Sequence, residues 1–581
     1  MFKNNLKALR TINKQLADKI SKISITEAEK ELSVLKTTEN EYILQKNNLP
    51  VDDTPSPLQS ATELYQQNIK SAVTRYDFII IFGLGMGNIL DFVHNKSLSQ
   101  IVLYEPDINI LRFTMEYVDL TKYFQNGRMF ITNNLVECLK YIQKKFLLND
   151  KIEFMYLKNY VMQHPSEFKV LTDRIFEVCQ QKIIDMNTIK VMSKVWIKNI
   201  FSRFKQQKDF YSLDILSNKF KDKTALVLGA GPSLKDNIEK IKENRDKFII
   251  FAVHKTLKTL KNNGITPDFC VIIDAKWVKE TIIDDDEYLK NINFVIDIKS
   301  DYALNSMPSK KDFIYFTNNC TFSNKLALKM LGKINLFEPV GTSTLTAYKV
   351  AKTLGFKNII FAGIDLAFKN DTAYCDDNIA ITTGKNTVVI QNVQRETTEI
   401  KSITGEYIKT RLDYASFVRQ FESLFAKDKT SKLYNLTTFG AFINGMKYDS
   451  LDNILNKISA EKYDVDRVIN NTLLNNSEMP LVIYKNSMEI FLEEQKRIQQ
   501  IVKEVDEWFE MYSEHPLFFD YASKIITKIT SSMILHEYVQ IEILRFTKLI
   551  FEKNDETKLQ FIKELFTNIK SFSNDLNNLI N

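Results

Sequence analysis

Cysteine is scarce in this chain, with five residues among 581. They are scattered, and no pair shows the spacing of a metal site or of a disulfide framework. This pattern argues against a disulfide-stabilised secreted domain and fits a reducing cytoplasm best. The five are Cys138, Cys179, Cys270, Cys320 and Cys375.

Long apolar runs and an excess of one charge are also missing. The longest apolar run, near residues 78–90, contains glycines and is too short to cross a bilayer. Residues 1–49 are polar with a helical pattern, so we expect no cleavable signal there. The net charge of +6 is small for the length and spread along the chain, which argues against nucleic acid. We therefore expect a cytoplasmic protein with no membrane insertion and no nucleic-acid partner.

The most informative segment that is present covers residues 224–241, TALVLGAGPSLKDNIEKI. An apolar strand leads into a turn with Gly229 and Gly231, and a helix follows directly. Glycine lets the backbone approach a ligand closely, and a helix N-terminus favours an anion. The pattern predicts a site for a phosphorylated ligand that Ser233 could contact. The alternative is a plain strand-to-helix turn in which Ser233 only caps the helix.

Strands and helices alternate after residue 224 at the spacing of a parallel, doubly wound sheet. In such sheets ligands bind beyond the carboxyl ends of the strands. Several polar residues follow strands directly and are predicted to share one cleft. They are Ser233, His254, Asp274, Ser343 and Asp365.

Two further regions flank this one. From residue 76 a buried strand leads into Gly83, Gly85 and Gly87, and a second strand ends near Glu105, as in a Rossmann-like half. Glu105 could hold the ribose of a nucleoside such as S-adenosylmethionine, although a glycine turn also serves close helix–sheet packing. Beyond Met446 glycine disappears and long amphipathic helical patterns follow. We predict domains at 1–210, 211–448 and 449–581.

The ordered motifs from 224 to about 448 resemble the central domain of the motility-associated factor (Maf) flagellin glycosyltransferases. They are also similar to bacterial sialyltransferases that use CMP-sialic acid. The matching segments are ALVLGAGPSL, FAVHK, CVIIDA and TSTLTAYKVAKTLGFKNIIFAGIDLAF. The resemblance places nucleotide contacts at His254, Asp274, Gly363 and Asp365. It also implies contacts to the donor's carboxylate and phosphate groups at Thr342 and Ser343.

The reacting end of the site departs from the sialyltransferase pattern. Two tyrosines steady the leaving phosphate in that family; Tyr374 fits one, whereas Phe368 falls near the other. Lys409 or Thr410 falls where that family has its general-base histidine. Our candidates for the base are Glu406, Lys409 and Asp413.

Two more segments near the site carry polar residues. The resemblance brings Asn435, Thr437 and Thr438 near the base of CMP. The acidic run at residues 284–286 is similar to the metal-binding motif of other glycosyltransferases, but it stands at a probable helix start, where carboxylates are favoured anyway. We therefore predict no metal site.

The resemblance implies an α/β fold. A central doubly wound Rossmann-like domain of sialyltransferase type is preceded by a second Rossmann-like domain and followed by an all-helical domain. The implied enzyme moves pseudaminic or legionaminic acid from CMP to Ser or Thr of flagellin, with the CMP-sugar as donor and no further cofactor. The C-terminal helices either dock flagellin or cover their own core, and no oligomeric state is predicted.

Three other functions fit parts of the pattern. A pterin-type pyrophosphokinase shares a related GxGPSL core. A flagellin-binding scaffold or chaperone with a decayed nucleotide site would explain the missing histidine and Phe368. A methyltransferase acting through Gly83 to Glu105 ranks last.

Overall fold

The computed structural model forms two compact units. Unit 1 comprises Met1–Val191, Glu514–Ile526 and Val539–Ile569, and unit 2 comprises Met192–Ser513, Thr527–Tyr538 and Lys570–Asn581. The residues that the structure describes are 1–37, 41–68, 78–96, 99–125, 127–147, 150–205, 210–276, 278–332, 335–369, 372–375, 380–384, 387–390, 393–458, 464–475, 479–512, 518–549 and 555–580.

Unit 1 is built around a parallel sheet. Its helices before residue 165 are α1 (Phe2–Ile12), α2 (Lys14–Ile20), α3 (Ile25–Ala28), α4 (Pro57–Asn68), α5 (Asn88–Lys96), α6 (Ile108–Tyr117), α7 (Thr121–Phe124), α8 (Leu135–Lys145) and α9 (Lys158–Gln163). Its strands are β1 (Leu32–Lys36), β2 (Tyr42–Lys46), β3 (Leu49–Pro50), β4 (Phe78–Phe82), β5 (Gln100–Tyr104), β6 (Met129–Thr132) and β7 (Ile152–Tyr156). The parallel sheet has the order β6-β5-β4-β7, and β1, β2 and β3 form a separate antiparallel sheet. The helical pattern predicted for residues 1–49 is therefore wrong from Leu32 onward, where the chain pairs with itself as strands. All five residues of β4 are buried, which explains its uninterrupted apolar sequence FIIIF.

The main sheet of unit 2 is larger. After α10 (Pro165–Lys205), its strands are β8 (Tyr211–Ser212), β9 (Thr224–Leu228), β10 (Ile249–Val253), β11 (Phe269–Ile272), β12 (Asn293–Asp297), β13 (Lys311–Thr317), β14 (Leu336–Phe337) and β15 (Asn358–Ala362). They are followed by β16 (Ala380–Gly384), β17 (Thr387–Ile390), β18 (Val393–Lys401), β19 (Tyr407–Arg411), β20 (Lys432–Asn435) and β21 (Lys447–Tyr448). The accompanying helices are α11 (Leu234–Glu243), α12 (Leu257–Asn262), α13 (Val278–Thr281), α14 (Asp286–Leu289), α15 (Thr321–Leu331), α16 (Ser343–Leu354), α17 (Leu412–Lys427), α18 (Leu451–Leu455) and α19 (Val465–Leu474).

The strand order confirms the predicted doubly wound architecture. The sheet runs β14-β13-β12-β11-β10-β9-β15-β20-β21, with β8 beside β13, and every pairing in it is parallel. From β9 the chain builds outward through β14, then returns to the other side of β9 with β15. The direction reverses between β9 and β15, so the topological switch point lies there. Open sheets of this kind bind ligands at the switch point, beyond the carboxyl ends of the strands.

A second, antiparallel sheet was not predicted. It has the order β16-β17-β18-β19 and follows β15 in the chain. Its last strand ends at Arg411 and leads directly into α17. The inserted sheet therefore determines that the start of α17 lies beyond the end of β15.

The elements beyond β21 in the described ranges are all helices, as predicted. These helices include α20 (Met479–Tyr512), α21 (Phe518–Ser531), α22 (Met533–Leu549) and α23 (Asp555–Ile580). Their residues are divided between units 1 and 2. The domain boundaries after 210 and 448 remain predictions. No helix in the described ranges is both long and apolar enough to span a bilayer.

Candidate functional site

The glycine turn after β9 is bound to the end of β15. The N–H of Gly229 donates to the carbonyl of Ala362 and that of Gly231 to Gly363, each at 2.8 Å. A Cβ on Gly229 would lie 2.4 Å from the Gly363 carbonyl oxygen, which only glycine avoids. The two strand ends at the switch point are therefore in direct backbone contact.

Hydrogen bonds between Asp365 and Ser233 hold this turn against the end of β15. The Ser233 N–H donates to Oδ2 of Asp365 at 2.7 Å, and the Ser233 hydroxyl donates to Oδ1. Asp365 is 1% exposed, and burial raises its pKa to about 6. Its carbonyl accepts from the N–H of Ala441 at 2.7 Å, and Leu366 beyond it has φ +46°, a strained conformation for leucine. Asp365 therefore holds the turn together, and its predicted nucleotide contact stays a prediction.

The start of α16 supplies free N–H groups beside this turn. Thr342 caps the helix by accepting from the Leu345 N–H at 3.0 Å. The N–H groups of Ser343 and Thr344 have no partner among the described residues, as expected at a helix start. Oγ1 of Thr344 lies 3.5 Å from the position of a Cβ on Gly229. The N–H groups of Gly229, Gly231, Ser233 and Leu234 by contrast all have acceptors, namely Ala362, Gly363, Asp365 and Gly231 in that order. The start of α16 therefore offers an anion unpaired N–H groups, whereas the N–H groups named at the start of α11 are already hydrogen-bonded.

His254 and Asp274 follow the neighbouring strands β10 and β11, as predicted. Nε2 of His254 lies 3.5 Å from Oδ2 of Asp274. His254 is 2% exposed, and neither ring nitrogen has a hydrogen-bond partner in the described part of the chain. Burial lowers the pKa of His254 to about 4, so its ring is neutral at pH 7. A neutral buried ring with unsatisfied nitrogens suits ligand binding better than proton transfer.

Tyr374 lies close to the turn, in a cluster that sequence reasoning missed. The N–H of the next residue, Cys375, donates to the carbonyl of Ala230 at 2.7 Å. Nη1 of Arg411 lies 3.5 Å from the Tyr374 hydroxyl, which is also hydrogen-bonded to Tyr414. The Lys255 ammonium lies 5.2 Å from the centre of the Tyr374 ring. Two cations and a second phenol therefore surround Tyr374.

The sequence contains signals for this cluster. Lys255 directly follows His254, whereas Arg411 and Tyr414 stand at the β19–α17 junction in TRLDYASF. Basic and aromatic residues at a strand-to-helix junction were the available signal. Phe368, which lacks a hydroxyl, packs in the same small cluster as Tyr374. The second hydroxyl near Tyr374 is therefore that of Tyr414.

Comparison with known proteins identifies this fold. A Maf glycosyltransferase from Magnetospirillum magneticum AMB-1 superposes with a TM-score of 0.66 over 100% of this chain and 96% of that one, at 12% identity. The chain has the Maf fold. The family described as 6-hydroxymethylpterin diphosphokinase MptE-like matches residues 198–371. An uncharacterized protein of Treponema pallidum (strain Nichols) is 31% identical over 124 residues, 21% of this chain and 58% of that protein. The match thus spans little more than half of that relative's length.

The end of β20 adds two predicted residues to the switch point of this Maf fold. Asn435 is fully buried, and its Oδ1 accepts from the N–H of Thr437 at 3.0 Å. The hydroxyls of Thr437 and Ser233 are 3.4 Å apart. Asn435 and Thr437 therefore belong to the same cluster as Ser233 and Asp365.

The base candidates in the inserted sheet are dispersed. Glu406 is exposed in the turn between β18 and β19, whereas Lys409 lies within β19 opposite Glu399. Asp413 accepts from Nε of Arg411 at 2.8 Å and also pairs with its Nη2. Asp413, at the start of α17, is thus in contact with the cluster around Tyr374, and the Lys409 carbonyl accepts from the N–H of Phe368 in that cluster at 3.4 Å, whereas no contact of Glu406 with it is seen among the described residues.

The acidic run at 284–286 serves a helix start in the Maf fold. Oδ1 of Asp285 accepts from the Tyr288 N–H at 3.0 Å, which caps α14, and Oδ2 pairs with Lys261. This agrees with the predicted position of the run at a helix start.

The N-terminal glycine turn is bound by two carboxyl groups of this chain. Oε2 of Glu105 accepts from the Leu84 N–H at 2.8 Å, and Oε1 accepts from the Tyr160 hydroxyl at 2.6 Å. Asp52 accepts from the Met86 N–H at 3.0 Å, and a Cβ on Gly85 would lie 1.9 Å from Oδ1 of Asp52. Both carboxylates are buried, and burial raises each pKa to about 7. The space and N–H groups that a nucleotide would use are occupied by Asp52 and Glu105, which favours an accessory role for this turn.

Proposed function

We propose that this chain is a glycosyltransferase that moves a nonulosonic acid, of pseudaminic or legionaminic type, from CMP to Ser or Thr of flagellin. The observation that supports it best is the free N-terminus of α16, which lies beside the glycine turn at the switch point of a Maf fold. Flagellin and the CMP-sugar are the proposed partners, with no further cofactor. The five cysteines are buried and none of them is in a disulfide, which suits a cytoplasmic reaction.

The proposed roles follow the positions of the residues. Thr342 and Ser343 hold the acidic groups of the donor, because the Ser343 N–H is unpaired and the helix dipole favours negative charge there. His254 and Asp274 contact the nucleoside. Asn435 and Thr437 approach its base, next to Ser233. These assignments rest on the resemblance for the identity of the ligand and on the geometry for proximity.

The other predicted glycines, with Ser233 and Asp365, form the backbone contact between the segments after β9 and β15. Gly229, Gly231 and Gly363 allow the backbones after β9 and β15 to approach closely. Ser233 and Asp365 hold that contact together. Tyr374, next to the Cys375–Ala230 contact with the glycine turn, is proposed to face the reacting end of the donor.

A variant at Ser343 tests the nucleotide site without disturbing the turn. Ser343 is the first residue of α16, and Thr342 before it is extended at φ −140° and ψ 152°. Proline is favoured at a first helical position and tolerates an extended preceding residue, so Ser343→Pro removes the free N–H while the helix is retained. Ser343→Ala keeps this N–H and is the matched control.

We expect the wild-type protein to bind CMP in calorimetric titration, and Ser343→Pro to bind at least about tenfold more weakly, the loss of one charge-assisted hydrogen bond. Ser343→Ala should lose much less. Transfer is then measured as the mass added to purified flagellin with a CMP-nonulosonic acid. A folded wild-type protein that binds no CMP would contradict the proposal.

The match to the MptE-like family at residues 198–371 supports a second candidate, a diphosphokinase acting on a pterin alcohol. This enzyme would release AMP from ATP in the presence of 6-hydroxymethylpterin. AMP formation that depends on the pterin, with no CMP binding, would favour it over the glycosyltransferase.

A further inference from the structure

The Tyr374 hydroxyl faces hydrogen-bond donors and positive charge. Arg411 approaches it with an N–H, Tyr414 is hydrogen-bonded to it, and Lys255 lies over the face of its ring. No carboxylate or carbonyl oxygen in the described residues accepts a hydrogen bond from the Tyr374 hydroxyl. An oxygen in these surroundings is better suited to be negative than neutral.

The charges around Tyr374 come from three different elements. Lys255 follows β10 and forms no ion pair within the described ranges. Arg411 ends β19, stacks on the Tyr414 ring at 4.2 Å and is paired with Asp413 at the start of α17. Burial raises the pKa of Tyr374, but the charges of Lys255 and Arg411 and the hydrogen bond from Tyr414 outweigh it, so the pKa is lowered. Of the two cations, Arg411 is thus paired with a carboxylate, whereas Lys255, which lies over the Tyr374 ring, has no carboxylate partner in the described ranges.

The other candidate bases fit proton removal less well. Glu406 is exposed in a turn of the inserted sheet, and Lys409 lies within β19 opposite Glu399. Asp413 is engaged by two guanidinium nitrogens of Arg411. Tyr374 is half-buried, beside the glycine turn, so it combines access with proximity to the donor site.

We propose that Tyr374 is the general base that deprotonates the acceptor hydroxyl, with Lys255, Arg411 and Tyr414 as positioning residues that stabilise its phenolate. This inference rests on the proposed glycosyl transfer. The phenolate oxygen takes the proton of the Ser or Thr hydroxyl. At the same time the oxygen of that hydroxyl forms its bond to the anomeric carbon of the sugar. The bond from this carbon to the phosphate oxygen breaks, and its electron pair leaves with CMP. Tyr374 then returns its proton to water. This role differs from the phosphate contact that the resemblance implies.

The first test requires no substrate. Ionised tyrosine absorbs in the near ultraviolet, so the titration of wild type minus that of Tyr374→Phe reports one phenol. We expect this phenol to ionise below the ordinary tyrosine pKa of about 10. Lys255→Met should raise its pKa, because the unpaired cation is lost and the side chain keeps its length. Tyr414→Phe should do the same by removing one hydrogen bond.

A surface variant provides the control for these titrations. Lys290→Met removes an exposed cation that pairs with Glu287 and has no contact with Tyr374. It should leave the titration of Tyr374 unchanged. An ordinary or raised pKa for Tyr374 in the folded protein would overturn the proposal, whatever reaction the protein catalyses.

The second test uses the transfer reaction. Tyr374→Phe should lower kcat by about 10²- to 10⁴-fold, the usual effect of losing a general base, while affinity for CMP is retained. Lys255→Met should move the acidic limb of the kcat profile to higher pH. A Tyr374→Phe protein with wild-type kcat would also overturn the proposal. A low pKa without any transfer from CMP-sugars would count against the proposed function and not against the ionised state of Tyr374.

Discussion

At the scale of single residues, Asp365 is the polar group on which the switch point depends. It accepts both the N–H and the hydroxyl of Ser233. Asp365→Asn keeps the shape but offers one acceptor oxygen and sets an NH2 group against a donor. We predict a loss of about 1–3 kcal/mol in the free energy of unfolding, the cost of a buried donor left unpaired.

Urea unfolding of unit 2, followed by tryptophan fluorescence, measures this loss. Asp222→Asn is the control, because Asp222 is exposed, only loosely paired with Lys357 at 3.6 Å, and has a positive φ that Asn tolerates. Its effect should stay within about 0.5 kcal/mol. Equal effects of the two variants would show that the Ser233–Asp365 contact contributes nothing.

The same carboxyl group predicts a pH dependence. Its pKa is about 6 in the folded protein and about 3.9 in an unfolded chain. Between these values the folded state binds more protons, so protonation stabilises it at low pH, and that stabilisation is lost as the pH rises through 6. The advantage of the wild type over Asp365→Asn should therefore shrink by up to about 2–3 kcal/mol across this range. Unfolding at pH values on either side of the range checks it, and a growing advantage would refute it.

Sequence patterns predicted which residues gather at the switch point but not how they pair. Strand ends in a parallel sheet meet at one edge, so Ser233 and Asp365 could be placed at the switch point, and His254 at the same edge after β10, from alternation alone. The contact of Ser233 with Asp365 joins residues 132 positions apart and depends on the packing of two loops. The position of Tyr414 beside Tyr374 depends on where the inserted sheet ends, which local patterns do not encode.

At the scale of elements, the turn between β4 and α5 shows how a nucleotide-like motif can serve packing. Gly85 has φ +54° and faces Asp52, whereas Gly127 has φ +72° and a Cβ added there would meet no atom within 4 Å. Both variants to alanine carry strain from positive φ, so their difference isolates the crowding. We predict that Gly85→Ala destabilises unit 1 by at least about 1 kcal/mol more than Gly127→Ala, the usual scale for overpacking.

Far-ultraviolet circular dichroism during urea unfolding measures both glycine variants. If Gly127→Ala were equally destabilising, the contact between Asp52 and this turn would not matter to stability.

The buried apolar strands could be predicted from the sequence, whereas the polar strands of the inserted sheet could not. The runs FIIIF, TALVL and IIFAV are buried at every position, and their apolar sequence indicates this directly. β18 and β19 pair through residues such as Thr398 with Thr410 and Glu399 with Lys409. Their sequence lacks the apolar alternation of a half-buried strand, so the inserted sheet escaped prediction.

At the scale of the whole molecule, periodicity predicted C-terminal helices but not their partners. Residues 514–526 and 539–569 belong to unit 1, whereas the segments between and around them belong to unit 2. An amphipathic pattern shows that a helix buries one face, but not which core receives it. The division of the last helices between two units therefore depends on tertiary packing, and the boundary after 448 stays a prediction.

Helix α20 predicts how strongly unit 2 depends on residues beyond 448. Phe491 is fully buried, and its ring centre lies 5.0 Å from that of Phe201 and 5.6 Å from that of Phe322. Phe491→Ala should destabilise unit 2 by about 3–5 kcal/mol, as for other buried phenylalanines. Trp508, buried in the same helix, reports the transition by fluorescence. Leu492→Ala, at a neighbouring position that is 44% exposed, should change stability by under about 0.5 kcal/mol. If the two variants unfolded alike, α20 would not be part of the core of unit 2.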